Sequence, residues 1–230
     1  MIGRALALGA AAWVGWAWVP HLFTPACAWR GDRDDRRIAL TFDDGPDVEW
    51  TPRVLDLLGE AGVRGTFFLI GERASRAPAL VRRIAAEGHE LGNHSWSHRV
   101  PWLCGPRATE EQVRRGHETI AALSGVAPRH FRPPWGMVNA AMFSAVRRVG
   151  ERCVFWSIQP EGQRPASAQR QVDHVLRRAH PGAIVDLHDA EGTPAAPERL
   201  LQVLPPLLAG LRERGYATAT VGELLSARRR

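Results

Sequence analysis

From Ile38 onward, apolar strand-like runs alternate with amphipathic helical patterns, and this alternation restricts the fold more than any single motif. Strands are expected at 38–42, 66–70, 90–92, 130–132, 153–158, 183–188 and 217–220. Between them, residues 52–61, 79–87, 110–123, 139–149, 168–179 and 198–213 carry apolar side chains at three and four spacing, the signature of helices. Repeated strand-then-helix order implies a parallel sheet or barrel with helices outside. A chain of 230 residues holds one such domain with a short appendage. In these folds reactive groups gather where strands end and loops begin.

The first strand ends in Thr41-Phe42-Asp43-Asp44-Gly45-Pro46. Successive strand side chains point to opposite faces, and the Gly-Pro turn can re-aim the second carboxylate. One carboxylate can then hold a metal while its neighbour stays free as a base. His94 and His98, after the third strand, are four apart, a spacing that on a helical turn puts both imidazoles on one side. Two His and one Asp make a three-ligand site with open positions, the pattern of a hydrolytic metal centre. Such donors suit Zn²⁺ first, with Co²⁺, Ni²⁺ or Mn²⁺ as alternatives.

Taken together, Thr-Phe-Asp-Asp-Gly-Pro and His-x-x-x-His resemble the motifs of the polysaccharide deacetylase family, the NodB homology domain of carbohydrate esterase family four. The resemblance implies a distorted (β/α) barrel, an α/β fold, and metal-dependent removal of acetyl groups from sugars. By motif it makes Asp44, His94 and His98 the metal ligands and Asp43 the base. It also makes Arg132 the partner that orients Asp43, the Trp135 N–H an oxyanion donor and His188 the general acid. Trp135 and Pro134 of the third motif, with Gln163 and Trp96, are the expected substrate-binding positions.

The chain departs from the family pattern in two motifs. Where the family carries Asp-x-x-Asp-Trp, this sequence reads Gln159-Pro160-Glu161-Gly162-Gln163, and Asp186 replaces the usual Leu two residues before His188. Residues i and i+2 share a strand face, so Asp186 is expected to take over from the missing acid and hold His188 in its tautomer, with Asp189 and Glu161 as weaker candidates. Trp50, Trp96, Trp102 and Trp135 are expected in loops at the active face, where their rings would stack on sugars.

Upstream, residues 5–19 are apolar and Trp-rich after Arg4, and the next charged residue is Arg30. Residues 1–29 therefore read as a signal peptide or membrane anchor, 30–36 as a linker and 37–227 as the deacetylase-like domain. The expectation is a bacterial membrane protein with a single N-terminal span and an extracytoplasmic domain, or a protein secreted after cleavage near Ala28. Arg30, Arg33, Arg36 and Arg37 weigh against export by the positive-inside count. All 30 basic residues are Arg, against 24 acids, for a net charge of +6, which favours anionic envelope polymers or lipid headgroups. The Arg residues are scattered and no nucleic-acid motif is present, so nucleic acid is not an expected partner. Of Cys27, Cys104 and Cys153, only the last two lie within the expected domain, and free thiols are expected.

The function expected from these readings is hydrolysis of an N-acetyl or related acyl group on an envelope or lipid-linked glycan. Two alternatives stand beside it: a catalytically weak carbohydrate-binding protein on the same barrel, and an amide hydrolase or deformylase acting on a non-polymeric substrate.

Overall fold

The computed structural model describes residues 2–161, 166–192 and 195–226. In chain order its elements are α1 (Ile2–Ala17), a 3-10 helix (Val19–Ala26), β1 (Arg37–Asp43), α2 (Trp50–Glu60), β2 (Thr66–Leu69), α3 (Gly71–Arg76), α4 (Pro78–Ala86), β3 (Glu90–Asn93) and α5 (Pro106–Ser124). There follow β4 (His130–Phe131), α6 (Met142–Arg148), β5 (Arg152–Cys153), α7 (Ala168–Arg178), β6 (Ile184–His188), α8 (Ala196–Glu213), β7 (Ala217–Ala219) and α9 (Val221–Ser226). Every ladder is parallel, in the order β5-β4-β3-β2-β1-β6, and β7 also pairs with β1. The result is a curled parallel sheet forming a half-barrel with helices outside, as the alternation predicts.

Alternation along the strands divides the sheet into two faces. Ile38, Leu40 and Phe42 of β1, Phe67 and Leu69 of β2, and Val185 and Leu187 of β6 share one apolar core with α2, α7 and α8. Phe42 and Phe67 stack there with ring centroids 4.7 Å apart. The intervening residues face the inside of the curl. There the register sets Thr41 beside Asp186 and Asp43 beside both His188 and Phe68. The outer face thus anchors the strands by burying apolar area, and the polar side chains near the strand ends are held on the inner face.

Two expectations change. The strand expected at 153–158 is reduced to β5, because Val154 pairs with Ala28 and the chain then crosses to β6, where Ile158 pairs with Val185. The sheet also reaches upstream of residue 37: Ala28 bridges Val154, Arg30 bridges Ala183, and Trp29 stacks on Phe155 at 4.3 Å. Ala17, Thr24 and Ala28 are buried, whereas Trp18, Val19, Leu22 and Phe23 are exposed. Among the described residues no helix is long and apolar enough to cross a membrane.

α5 packs closely on the loop after β3. A Cβ on Gly116 would collide with the Asn93 side chain and lie 3.0 Å from the Ser95 carbonyl carbon and oxygen. Asn93 is fully buried and accepts the Ser95 N–H, so it has no room to yield. Gly116→Ala is expected to cost about 1–3 kcal/mol in denaturant unfolding. Gly59→Ala, in α2 with nothing within 4 Å of the added carbon, is expected to be stabilising by about 0.5–1 kcal/mol.

Candidate active site

β1 delivers two adjacent carboxylates in different directions. Asp43 stays in strand geometry on the inner face, while Asp44 takes φ 69°, a left-handed conformation that turns it out of the ladder. The turn is braced from below: Asp189 bonds the Thr51 hydroxyl and packs so closely under Gly45 that a side chain there would strike its carboxylate. Arg73 donates to the Asp44 carbonyl at 2.8 Å. Asp189 therefore belongs to the turn and does not hold His188.

His94 and His98 do converge, though not on a helix. The segment after β3 is irregular, with Ser95 at φ 69° and His98 at φ 53°, and its backbone is pinned by His94 N–H to Leu69 O (2.9 Å) and His98 N–H to Ser95 Oγ (3.1 Å). The Arg132 carbonyl accepts from His94 Nδ1 at 2.8 Å, which leaves Nε2 as the free lone pair. Nε2 of His94 and of His98 lie 3.6 and 3.2 Å from Asp44 Oδ1. That oxygen is buried and, among the described residues, has no hydrogen-bond partner.

Burial sets the charge states around it. It pushes the Asp44 carboxyl up to about 6, against the pull of the nearby His188 charge. It drives both His94 and His98 down to about 3, so each imidazole is neutral and able to donate a lone pair. An orphaned buried carboxylate oxygen facing two neutral imidazole nitrogens fits a divalent cation. The three ligand atoms lie within 4.8 Å of one another.

Arg132 is fully buried across the floor of the site. Its Nη1 donates to Thr41 Oγ1 (2.7 Å), Asp43 Oδ1 (2.8 Å) and Asp186 Oδ1 (3.0 Å), and its Nη2 donates to the Phe155 carbonyl (3.1 Å). The guanidinium carbon lies 4.2 Å from the Phe68 ring centroid. Burial and the neighbouring Asp43 push the Asp186 carboxyl up to about 8, while its Oδ1 accepts from Arg132.

The carboxylate that holds His188 is Glu161, not Asp186: Glu161 Oε2 and His188 Nδ1 form a hydrogen bond. Burial alone would lower the His188 pKa, but the Glu161 bond and the charges of Asp186, Glu161 and Asp43 carry it well above the ordinary value. Asp186 shares the strand face with His188, but its own hydrogen bond goes to Arg132. Glu161 was legible as the one acid in the stretch where the family motif carries two. Its reach across to β6 was not, since it depends on the chain crossing the seam after β5.

Asp43, Asp44, His94, His98, Asp186 and His188 line one open cavity of about 520 Å³, walled by Pro133, Trp135, Trp156 and Glu161. Trp135 is exposed, sits at φ 61°, and lies 5.1 Å from the His98 ring; among the described residues no acceptor takes its N–H. Of the other expected substrate positions, Pro134 is buried beside the cavity and Gln163 lies outside the described residues. Trp96 packs against Gly71 under the Arg115 guanidinium and does not line the cavity. Trp102 is taken up by Trp13, Trp18 and His21 of the N-terminal segment, so it too is packing. Trp156, at the strand end after β5 and outside the expected substrate positions, adds a second aromatic wall beside Trp135.

Comparison with known proteins places these features in context. The family model described as "Polysaccharide deacetylase" matches residues 30–154. A peptidoglycan-N-acetylglucosamine deacetylase of Bacillus cereus is 36% identical over 199 residues, 86% of this chain and 92% of that protein. A chitooligosaccharide deacetylase of Rhizobium leguminosarum bv. trifolii is 38% identical over 195 residues, 80% of this chain and 89% of that protein. Among solved structures, the Bc1960 peptidoglycan N-acetylglucosamine deacetylase superposes with a TM-score of 0.83 at 31% identity, covering 91% of this chain and 98% of that one. BA3943 of Bacillus anthracis, described as a CE4 family pseudoenzyme, superposes with a TM-score of 0.77 at 26% identity, covering 87% of this chain and 69% of that one. With its fold, its Asp-His-His cluster and these relatives in agreement, the chain belongs to the polysaccharide deacetylase family.

Proposed function

We propose that the chain is a metal-dependent hydrolase that removes the N-acetyl group from N-acetylglucosamine units of an envelope glycan, peptidoglycan or a chitooligosaccharide. The observation that carries this reading is the orphaned Asp44 oxygen facing two neutral imidazoles, directly beside an Asp43 that Arg132 holds separately. Asp44, His94 and His98 would hold the ion, and zinc suits one carboxylate and two imidazoles best. A divalent ion bound there supplies Lewis acidity toward an acyl oxygen and toward water.

The protein groups divide the proton traffic. Asp43, fixed by Arg132, accepts the proton of the water that attacks the acyl carbon. The Trp135 N–H is available to the oxyanion that develops on the acyl oxygen. His188, kept protonated by Glu161, gives its proton to the sugar nitrogen as the C–N bond breaks, so the products are acetate and a free amine. Trp135, exposed at the rim, offers an apolar face to a pyranose ring.

A second reading has one observation in its favour, the likeness to the BA3943 pseudoenzyme together with the altered motif around Glu161. In that case the cavity binds glycans and turns them over weakly. Acetate release from N-acetylglucosamine oligomers and from peptidoglycan by the zinc-loaded chain separates the two. Activity should fall about 100-fold or more in Asp43→Asn, with zinc content unchanged. Binding without acetate release would favour the second reading, and release of formate or of non-sugar amines from a substrate panel would redirect the first.

The pH profile tests the Glu161 pairing. His188 acts in its protonated form, so its raised pKa keeps the alkaline limb of kcat/KM high, and activity falls as pH rises through that pKa. Glu161→Gln removes the charge that raises it, so the limb should move to lower pH. Asp186→Asn should move the limb less; an unmoved limb in Glu161→Gln would exclude this role for Glu161.

A further inference from the structure

We propose that Cys27 and Cys153 form a disulfide that latches the N-terminal segment across the seam between β5 and β6. Ala28 and Val154 are partners in a parallel bridge, with Ala28 N–H donating to Cys153 O at 3.1 Å and Phe155 N–H donating to Ala28 O at 2.8 Å. In a parallel pair the residues one step back on each chain also face one another and share a side. Those residues are Cys27 and Cys153. Both thiols are free in the structure, and both line one cavity of about 440 Å³ with Phe23, Phe143 and Val146. The pair open to this chain is therefore not Cys104 with Cys153, the one the sequence allowed within the domain.

The two thiols also differ in the way a stepwise exchange needs. Hydrogen bonding between them lowers the pKa of the half-buried Cys27 and raises that of the buried Cys153. Cys27, half-buried where Cys153 is buried, is the thiol that an oxidant reaches first, and so the attacking group. Its thiolate displaces one thiolate from a small-molecule disulfide oxidant, giving a mixed disulfide. The Cys153 thiolate, its proton lost to solvent, then attacks Cys27 Sγ and expels the second thiolate. Two protein thiols are oxidised and one oxidant disulfide is reduced to two thiols.

The latch lies next to the catalytic floor. Residues 28–30 bridge both sides of the seam, through Ala28 to Val154 and through Arg30 to Ala183. Phe155, whose N–H is held by Ala28, presents the carbonyl that receives Arg132 Nη2. Closing the bond would fix the strand end from which Arg132 is supported.

The full chain, incubated folded with oxidised glutathione, alkylated and mapped by mass spectrometry without reduction, should yield a cross-linked peptide pair containing Cys27 and Cys153, with Cys104 alkylated. The melting temperature should rise by about 10 °C, given the length of the loop closed, and return on addition of dithiothreitol. Cys27→Ser should show no such rise. Free Cys27 and Cys153 after oxidation, glutathione retained on Cys27 alone, or a bond from Cys153 to Cys104 would each overturn the proposal.

Discussion

A positive charge buried where a sheet curls inward must be surrounded by acceptors, and the site is built around one such charge. Arg132 is fully buried, so its guanidinium is tolerable only because Thr41, Asp43, Asp186 and the Phe155 carbonyl receive its protons and the Phe68 ring lies beneath it. The same residue's carbonyl receives the His94 Nδ1 proton, and its N–H donates to Asn93 O. A single position thus orients the base through its side chain and sets the tautomer of an imidazole ligand through its backbone. The two halves of the site cannot drift apart without breaking bonds to Arg132.

Environment then sorts three chemically identical imidazoles into two roles. His94 and His98 lie where burial dominates and remain neutral, the state a ligand needs. His188 is also buried, but Glu161 at its Nδ1 and the acidic neighbours reverse the outcome and keep it protonated. Groups whose surroundings push their proton affinities in opposite directions mark the division between ligand and acid. Asp186 fits the same logic. Burial and the neighbouring Asp43 raise its proton affinity, while its oxygen accepts from Arg132.

Much of this was readable from residue order. Period-two and period-3.6 patterns located the strands and helices because the outer core demands them, and the strand-end positions of Asp43, His94, Arg132 and His188 follow from that layout. Contacts governed by a change of chain direction were not readable. The His94–His98 pair meets through two left-handed residues in a loop, where spacing suggested a helical turn. Glu161 reaches His188 because the chain leaves β5 and crosses the seam, a path no periodicity encodes. Trp96 and Trp102 are indistinguishable by residue type from ring-stacking aromatics, yet α5 and the N-terminal segment claim them for packing. The part taken by residues 28–30 in the sheet was hidden behind an apolar leader pattern whose composition suggests only a membrane-directed segment.

The central claim is that Asp44, His94 and His98 form one cation site with Asp43 left free of it. Crystallographic anomalous scattering at the zinc edge, on the full chain grown with zinc, tests this most directly. The account predicts one strong peak about 2.0–2.2 Å from an Asp44 oxygen and from Nε2 of both His94 and His98, with Asp43 still bonded to Arg132. A peak centred instead among Asp43, Asp186 and His188, or no peak between Asp44 and the two imidazoles, would contradict it.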